Sequence, residues 1–465
     1  MKTDNWTARQ IARACEGQLL RDSNLPINGF SIDTRTLQPG NLFVALKGEN
    51  QDGHLYAAKA VDAGAAALLI SNETAVAGLS DKVAIIKATD ALTGLQKIAQ
   101  KRRGQLQSKV IGITGSNGKT TTRAMLQHLL ASVGRCSATS GNLNNHIGLP
   151  LTILGLDATA DYAVLEMGMN HQGEIRDLCR ISQPDAALIS NIGPAHIGIL
   201  GSLKNIALAK AEILESLSEK QIAVVPGDTE FSELLRQATK AGLVYFGAGE
   251  NNDYRISELQ MTVEGVSFRL TAPDSSSDCK LHLAGRHNAF NATAALALFH
   301  QLGHDLQKGC QLLESFAPVS ARMERVEVAG INILLDCYNA NPGSMSEALS
   351  FLNVCPAPRI AVLGDMRELG DMAVSMHRQL GVQAAASRPE LLVCVGADAA
   401  HIAAAARENG MAEASVIALS SNEEAAEVLK DRLIKGSTVL FKASRGMHFE
   451  TIVRSLWPDL GKDLH

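Results

Sequence analysis

The stretch that most constrains this chain is VIGITGSNGKTTTRAMLQ at residues 110–127, in which an apolar run, a glycine turn and a helix-compatible segment follow one another. This order is typical of a phosphate-binding loop. Gly115 and Gly118 would let backbone N–H groups point inward, and the positive end of the following helix would face the same spot. Lys119 would then reach the β- and γ-phosphates, and the Thr120 hydroxyl would ligate Mg²⁺.

The loop departs from the common pattern GxxxxGK[ST] at one position, because Ile113 stands where that pattern has glycine. An ordinary glycine turn before a helix is the alternative. Gly-Lys-Thr-Thr directly after a strand-like run nevertheless favours nucleotide binding. The residues predicted to contact the nucleotide here are Gly115, Ser116, Asn117, Gly118, Lys119, Thr120 and Thr121.

Length and composition limit the remaining possibilities. The 465 residues are enough for three domains, at ~150 residues each. A net charge of −5 gives no general basic field, so a nucleic acid partner is not expected. Membrane insertion is not expected either, because the N-terminus is polar and no apolar run approaches the ~18 residues of a spanning helix. Eight cysteines without a C-x-x-C pair indicate reduced thiols and a cytoplasmic location.

The alternation of strand-like and helix-like segments predicts an α/β protein of three domains. Residues 1–88 form a small N-terminal α/β domain, and residues 89–317 form a central domain of the P-loop ATPase type. Residues 318–465 form a C-terminal, Rossmann-like, doubly wound domain with strands near 331–336, 360–364, 391–395, 415–419 and 438–442. No G-x-G-x-x-G accompanies this last sheet, so a dinucleotide site is not indicated.

Two side chains of the central domain follow apolar strands. Glu166 ends the strand-like YAVLE, and His196 lies just beyond the strand-like AALIS. Open α/β sheets bind ligands at the carboxyl ends of their strands, so both residues should point toward the phosphates. Glu166 is therefore a plausible partner of Mg²⁺, directly or through water.

Lys210 occupies an unusual position in the predicted helix of residues 202–217. Apolar residues at positions 203, 206, 213 and 217 form one stripe, and Lys210 lies within it. A lysine on an inward face needs a partner or a function. The alternative is a lysine whose stem packs on the helix while its ammonium reaches solvent.

Taken together, these phrases resemble the Mur ligase family, the ATP-dependent amino acid and peptide ligases of cell-wall precursor synthesis. The resemblance covers nearly the whole chain. It is carried by TGSNGKTT at 114–121, TSGNLNNHIGLP at 139–150, EMGMNHQGEI at 166–175, AKAEI at 209–213, GRHNAFNA at 285–292 and DCYNANPGSM at 336–345. Within the family, GNLNNHIG, MGMNHQGEI, DCYNANPGSM and LGDMRELG are most similar to the members that add D-alanyl-D-alanine.

The resemblance implies an ADP-forming ligase that joins D-alanyl-D-alanine to UDP-N-acetylmuramoyl-tripeptide. The terminal carboxylate of the tripeptide attacks the γ-phosphate of ATP, and the amine of D-alanyl-D-alanine then attacks the acyl phosphate. A carboxylate is a poor electrophile, so phosphorylation supplies a leaving group, and catalysis consists mostly of positioning and charge neutralisation.

The resemblance also implies roles for particular residues. Glu166 and His196 match the metal-site residues, and Lys210 matches the lysine that is carbamylated in the family. Lys119, His196 and Lys210 are the expected catalytic residues, and Thr120 completes the expected Mg²⁺ site with Glu166, His196 and Lys210. The expected further nucleotide contacts are Asn288, Arg322 and Asp336, and the expected substrate contacts are Ser31, Asp33, Arg35, Asn142, Asn144, Asn145, Asn339 and Asn341.

Rival interpretations make different demands on the sequence. A folylpolyglutamate synthase or another Mur ligase should keep the phosphate loop, the histidine and the lysine, but should lack DTRTLQPGNLFVALKG and YNANPGSM. A P-loop nucleotide switch or transport ATPase needs neither Lys210 in an apolar stripe nor a third α/β domain. Strict dependence of amide formation on D-alanyl-D-alanine would separate all three.

The three-domain layout predicts that the second and third domains close over ATP and exclude water from the acyl phosphate. The chain is expected to act as a monomer, although no residue pattern specifies its oligomeric state. A hinge is expected at residues 318–321. The tripeptide's third residue is left open between lysine and meso-diaminopimelate, because no residue can be assigned to its side chain.

Overall fold

The computed structural model describes residues 5–79, 82–317 and 322–460, and within them the strands form three sheets. The sheets occupy residues 18–87, 109–281 and 324–442. This is the predicted α/β architecture of three domains, although the exact boundaries at 88/89 and 317/318 stay predictions. The expected hinge at residues 318–321 lies outside the described residues.

The N-terminal sheet has the order β1-β5-β4-β3-β2, with β1 antiparallel to β5 and the other pairs parallel. Its core strand β4 is buried at all four positions because helices cover both faces. The strands are β1 Gln18–Arg21, β2 Gly29–Ser31, β3 Asn41–Val44, β4 Ala67–Ile70 and β5 Ala84–Lys87, with helices α1 Ala8–Ala14 and α2 Ala57–Asp62.

The central sheet has nine described strands in the order β14-β13-β12-β11-β10-β9-β6-β8-β7. The strands are β6 Lys109–Thr114, β7 Cys136–Ala138, β8 Tyr162–Glu166, β9 Ala186–Ile189, β10 Ile222–Pro226, β11 Gly242–Gly247, β12 Tyr254–Thr262, β13 Gly265–Thr271 and β14 Ser276–Leu281. The helices are α3 Ala91–Arg103, α4 Lys119–Ala131, α5 Gly148–Leu154, α6 Glu174–Ser182, α7 Ile197–Leu200, α8 Leu203–Glu215, α9 Ser232–Gln237, α10 His287–Gln301 and α11 Leu306–Glu314.

The phosphate-loop strand β6 lies between β8 and β9 and is parallel to both. Ile113 pairs with Glu166, and Thr114 pairs with Ile189, so the three strands end at the same edge. This register places the phosphate loop, Glu166 and the segment that leads to His196 side by side. The prediction that both side chains follow strands toward one edge is confirmed.

The C-terminal sheet has the order β15-β16-β20-β17-β18-β19, and only the β15–β16 pair is antiparallel in the described part. All five predicted strands are present within one residue of their expected bounds. The additional edge strand β15 was missed because it alternates half-buried and exposed residues and carries three charges. The strands are β15 Glu324–Val328, β16 Ile331–Asp336, β17 Arg359–Gly364, β18 Leu391–Val395, β19 Val416–Leu419 and β20 Thr438–Lys442.

Five helices accompany this sheet: α12 Pro342–Leu352, α13 Ala373–Ser387, α14 Ala400–Glu408, α15 Asn422–Lys430 and α16 Glu450–Leu456. Short 3₁₀ turns occur at Gly53–Tyr56, Glu73–Val76, Gly370–Met372, Glu413–Ser415 and Arg445–Met447. A helix long and apolar enough to cross a membrane does not occur in the described ranges.

Candidate active site

A cavity of about 780 Å³ opens between the carboxyl edge of the central sheet and the loops of the C-terminal domain. Both domains contribute polar side chains to its wall. The predicted site residues that line it are Ser116, Asn117, Gly118, Lys119, Thr120, Thr121, Asn144, Asn145, Glu166, His196, Asn288, Arg322, Asp336, Asn339 and Asn341. The structure therefore brings most of the predicted site together in one place.

Two glycines give the phosphate loop its shape. Gly118 has φ +77°, and a Cβ there would lie 2.2 Å from Oδ1 of Asn291. Gly115 has φ +151°, and a Cβ there would lie 2.0 Å from Oγ of Ser190. Any other residue would be strained in its backbone and would collide with the loop's own supports.

The segment after β9 supports this loop by hydrogen bonds. Oδ1 of Asn191 accepts from the backbone N–H of Asn117 at 2.7 Å, and Oγ of Ser190 donates to the Asn117 carbonyl at 2.6 Å. Oγ of Ser116 donates to the Gly193 carbonyl at 2.7 Å and accepts from the Gly193 N–H at 2.9 Å. The loop is therefore held open and preorganised from one side, leaving its concave face to the cavity.

Lys119 is the first residue of α4, and its ammonium turns back over the loop. Nζ donates to the Gly115 carbonyl at 2.8 Å and to the Ser116 carbonyl at 3.4 Å. Burial lowers the pKa of this amine, while the charge of Glu166 opposes that shift. The ammonium lies where it can move from the loop carbonyls to bound phosphate oxygens.

Glu166 presents a carboxylate that is only half satisfied. Nδ2 of Asn144 donates to Oε1 at 2.8 Å, whereas Oε2 is buried and accepts no hydrogen bond. The nearest cation is Arg123, whose Nε is 3.9 Å from Oε2. The residue as a whole is 2% exposed, so an oxygen with this distant ion pair and no hydrogen bond is costly unless a ligand completes it.

His196 lies at the start of α7 in a left-handed backbone conformation with φ +61°. Its Nδ1 is 2.6 Å from Oε2 of Glu368, which belongs to the loop after β17. The imidazole is largely buried, with 19% of its side-chain surface exposed. A residue of the C-terminal domain thus contacts a predicted catalytic residue of the central domain.

Lys210 lies in the middle of α8 and is 2% exposed. Burial lowers its pKa well below the usual value, and the charge of Lys119 lowers it further. Among the described residues, no hydrogen bond or ion pair reaches its ammonium. The alternative of a lysine reaching solvent is wrong, although Lys210 does not itself line the cavity.

The residues present fit a magnesium ion shared with phosphate oxygens. Oε2 of Glu166 is an orphaned carboxylate oxygen, and Thr120 and His196 line the same cavity. No cluster of three His, Cys, Asp or Glu side chains suited to a metal occurs in the described parts of the chain. Mg²⁺ usually takes one or two carboxylates, with substrate phosphates and water as its other ligands.

The wall beside α10 contains a chain of amides. Nδ2 of Asn288 donates to the Ala284 carbonyl at 2.7 Å, and Oδ1 of Asn288 accepts from Nδ2 of Asn291 at 3.1 Å. Asn291 in turn packs on Gly118. Asn288 is therefore tied to the phosphate loop through Asn291.

The C-terminal domain contributes charges to the opposite wall. Nζ of Lys442, which is 1% exposed, donates to Asp336 at 2.6 Å and to the Asn339 carbonyl at 3.2 Å. The guanidinium of Arg322 lies 4.2 Å from the centre of the Tyr338 ring. Asp336 is thus paired with a lysine, and Arg322 lines the same cavity while it stacks on Tyr338.

Four predicted substrate residues do not line the cavity: Ser31, Asp33, Arg35 and Asn142. Arg35 forms a bidentate pair with Asp33, which lowers the pKa of that carboxyl to about 2. Ser31 donates to the Asp33 carbonyl, so this segment forms a turn with its own hydrogen bonds. The assignment of Ser31, Asp33 and Arg35 to the UDP end stays a prediction, and so does the assignment of Asn142 to the substrate.

Asn145 lines the cavity but has a structural task as well. Its Oδ1 accepts from the backbone N–H groups of Ile147 and Gly148, at 3.1 and 2.9 Å, where α5 begins. Its carbonyl oxygen is thus occupied, and only its amide N–H groups remain for a substrate.

Several residues of the site escaped the sequence analysis: Asn191, Asn291, Glu212, Lys442 and Glu368. Glu212 is buried and accepts from the N–H groups of Gly173 and Arg176, which fixes the cavity loop before α6. A charged residue closing an apolar strand, as Lys442 does in TVLFK, could have been found from sequence. The partners of Asn191 and Glu368 are distant in sequence, so no local pattern indicates them.

Comparison with known proteins assigns all three regions. A model described as Mur ligase family, catalytic domain matches residues 26–103, one described as Mur ligase middle domain matches residues 113–299, and one described as Mur ligase, glutamate ligase domain matches residues 321–445. The chain is 36% identical to the UDP-N-acetylmuramoyl-tripeptide–D-alanyl-D-alanine ligase of Bacillus subtilis, over 97% of the chain and 98% of the relative. The ligase of the same name from Escherichia coli is also 36% identical, with the same coverage.

Solved structures agree with these matches. A crystal structure of MurF from Acinetobacter baumannii superposes with a TM-score of 0.90 at 33% identity, covering 98% of this chain and 99% of that one. MurF from Thermotoga maritima in complex with ADP gives a TM-score of 0.82 at 29% identity, covering 93% and 98%. A folylpolyglutamate synthase from Mycobacterium tuberculosis, at 18% identity and a TM-score of 0.63, shares the fold alone.

Proposed function

The chain belongs to the Mur ligase family, and from that premise we propose that it ligates D-alanyl-D-alanine to UDP-N-acetylmuramoyl-tripeptide while ATP is converted to ADP and phosphate. The product is the UDP-N-acetylmuramoyl-pentapeptide used for peptidoglycan synthesis. One observation carries the proposal: a single cavity joins Lys119 and Glu166 of the central domain to Asn339 and Asn341 of the C-terminal domain.

The reaction has two steps. An oxygen of the tripeptide's terminal carboxylate attacks the γ-phosphorus of ATP, and the bond to the β-bridging oxygen breaks, which yields an acyl phosphate and ADP. The amine of D-alanyl-D-alanine then attacks the acyl carbon, loses a proton, and expels phosphate. Both steps bring anions together, so the site's main task is to hold them and to neutralise their charge.

The phosphate loop performs much of this task. Backbone N–H groups of the loop and the N-terminus of α4 offer donors and a partial positive charge to the phosphates. Lys119 moves its ammonium from the carbonyls of Gly115 and Ser116 to the β- and γ-phosphates. Thr121 and Arg322 border the same space and add polar contacts.

Thr120, Glu166 and His196 would hold Mg²⁺, which would supply positive charge to offset that of the phosphates. The support for this set is the unpaired Oε2 of Glu166 in the wall of the nucleotide cavity. Asn144 binds Oε1, the other oxygen of the carboxylate, and this hydrogen bond leaves Oε2 free for the metal.

Lys210 is proposed to carry a carbamate. The ammonium first loses one proton. The neutral amine then attacks CO₂, a C–N bond forms as one C=O π bond opens, and a second proton leaves the nitrogen, so that a cation has become an anion. The depressed pKa of the buried amine favours the required neutral form. The carbamate would then oppose the positive charge of Lys119 instead of adding to it.

Asn288 is proposed to lie on the adenine side, and Asn339 and Asn341 where the nucleotide and the dipeptide meet. The asparagines at 142, 144 and 145 face the muramyl substrate, and the segment of Ser31, Asp33 and Arg35 holds its UDP end. We further propose a monomer that works in the cytoplasm, where ATP and the nucleotide-linked substrate are available.

The proposal is tested by phosphate release in the presence of ATP, Mg²⁺ and D-alanyl-D-alanine. Three acceptors are compared: UDP-N-acetylmuramoyl-tripeptides with lysine or meso-diaminopimelate at the third position, and the dipeptide precursor. We expect release with a tripeptide, strict dependence on D-alanyl-D-alanine, and a pentapeptide product by mass spectrometry. Absence of release with every acceptor would refute the assignment.

A further inference from the structure

We infer that Glu368 is a positioning residue that sets the ring orientation and tautomer of His196 only when the C-terminal domain is docked. The inference rests on the proposed function of the cavity, and it concerns a residue outside the predicted catalytic set. The ring orientation and tautomer of a histidine in the central domain would then depend on the position of the C-terminal domain.

The contact is built into both backbones. The Glu368 carbonyl accepts from the Gly198 N–H at 3.0 Å, beside the 2.6 Å contact of its carboxylate with Nδ1 of His196. A Cβ on Gly198 would lie 2.4 Å from the Gly370 nitrogen, so the two loops approach closer than any side chain at position 198 permits. The loop of Glu368 therefore docks directly on α7.

Both partners have unusual backbone conformations. His196 has φ +61° and Glu368 has φ +65°, and neither residue is a glycine. Such conformations are uncommon and persist where the surroundings hold them. Two of them facing each other across a domain interface indicate that this pairing is imposed by the fold.

The loop is firmly attached on its own side. The Met366 N–H donates to Nε2 of the buried His377 at 2.9 Å, and the Arg367 N–H donates to Oγ of Ser444 at 2.9 Å. Glu368 is therefore carried by the C-terminal domain as part of its body. When that domain moves, the carboxylate moves with it.

Histidine chemistry gives this contact its consequence. A carboxylate at one ring nitrogen favours the proton on that nitrogen and fixes the ring orientation, which leaves the other nitrogen with a free lone pair. The Glu368 carboxylate would select the Nδ1–H form once its oxygen aligns with that N–H, and no described side chain bonds Nε2. The carboxylate lies off the direction of the N–H, and contacts of this kind often align only in the reactive complex.

The contact between Glu368 and His196 is expected to limit the attack of water on the phosphates. With the domains apart, His196 lacks its partner and samples both tautomers, so the phosphate cavity is incomplete while it is still open to solvent. With the domains docked, the histidine is oriented at the moment that the cavity closes. Phosphoryl transfer is thereby restricted to the closed arrangement.

The test compares Glu368→Ala and Glu368→Gln with Asp371→Asn, the exposed acid three residues further along the same loop. We expect Glu368→Ala to lower kcat by about 10- to 100-fold, with KM for ATP and D-alanyl-D-alanine changed by less than about threefold. Glu368→Gln keeps a hydrogen-bond acceptor, so its kcat should lie between those of the wild type and Glu368→Ala. Asp371→Asn should match the wild type, and thermal unfolding should show that all three variants fold.

A second readout does not depend on activity. The ¹⁵N spectrum of the imidazoles in metal-free, full-length protein reports the tautomer of His196, assigned with His196→Asn. We expect the Nδ1–H form in the wild type and a mixture in Glu368→Ala. Small-angle scattering of the same samples separates this effect from a loss of compactness.

The results distinguish two failures. If the wild type makes no amide, the proposed function fails, and the imidazole spectra still decide the role of Glu368. Wild-type kcat in Glu368→Ala would overturn the inference. So would a loss of activity with an unchanged His196 spectrum, because the residue would then act by another route.

Discussion

Asn117 of the phosphate loop and Asn341 at the start of α12 form a reciprocal amide pair across the domain interface. Nδ2 of Asn117 donates to Oδ1 of Asn341 at 3.1 Å, and Nδ2 of Asn341 donates to Oδ1 of Asn117 at 2.6 Å. Oδ1 of Asn341 also accepts from the Ser344 N–H, so the same atom caps a helix. The nucleotide loop is thus joined to the helix that follows the predicted dipeptide-binding turn.

This pair can be removed without loss of the helix cap. Serine caps helices about as well as asparagine, so Asn341→Ser should unfold near the wild-type temperature. The two lost hydrogen bonds should weaken the docking of the C-terminal domain on the phosphate loop by about 1–2 kcal/mol. Because the docked arrangement is the reactive one, kcat/KM for ATP should fall about five- to thirtyfold. A double-mutant cycle with Asn117→Ala measures the coupling, and fully additive effects would contradict the pairing.

Lys210→Ala should lower phosphate release by about 100-fold or more, because it removes the proposed carbamate from the phosphate site. Short carboxylic acids should partly restore activity by placing an anion in the space vacated. Lys204→Ala is the matched control, since Lys204 is exposed on the same helix. Equal activity of the two variants would mean that Lys210 only packs in the helix interface. The same conclusion would follow if no carboxylic acid restored phosphate release in Lys210→Ala.

The buried amine of Lys210 also predicts a dependence of stability on pH. Its pKa is well below that of an unfolded lysine, so the unfolded chain binds more protons between the two values. Unmodified protein should therefore gain stability as the pH rises toward the unfolded pKa. In metal-free, CO₂-free buffer, Lys210→Met should be more stable than the wild type near pH 7, and the difference should shrink by pH 10. A difference in stability between Lys210→Met and the wild type that stays constant from pH 7 to pH 10 would contradict the lowered pKa of Lys210.

Gly118→Ala should abolish tight ATP binding while leaving the protein folded. The substitution combines a left-handed backbone with a collision against Asn291 in the nucleotide cavity. Gly78→Ala is the control, because Gly78 has φ +78° but no heavy atom within 4 Å of a Cβ. Both should lose about 1–2 kcal/mol of stability, and titration calorimetry should show an affinity loss in Gly118→Ala alone.

Lys442→Met should destabilise the protein by about 3 kcal/mol, because it leaves Asp336 in a largely buried site without its ion-pair partner. The side chains are 1% and 14% exposed. Lys430→Met provides the comparison, since its pair with Glu427 is exposed and should contribute less than about 1 kcal/mol. Denaturant unfolding measures both, and similar losses in the two variants would contradict the buried pair's importance.

Local patterns of the chain determined a large share of the fold and the site. Strands β16 to β20 are predicted by short apolar runs between polar turns. The phosphate loop is predicted by its glycines, because few other residues adopt a positive φ. The helical period placed Lys210 in an apolar stripe, and the structure decided that the side chain is buried there. Each of these features depends on residues close together in sequence, where stereochemistry and spacing decide the outcome.

Tertiary structure alone decided which distant groups meet. The contact of His196 with Glu368, the pair of Asn117 with Asn341 and the neutralisation of Asp336 by Lys442 join residues more than a hundred positions apart. Nothing in the local sequence specifies such partners. Asp336 and Lys442 meet because β16 and β20 are neighbours in one sheet, and the other two pairs meet because two domains are placed against each other. The sequence therefore determined the parts of a phosphate-activating site, and the packing of its domains determined how those parts are connected.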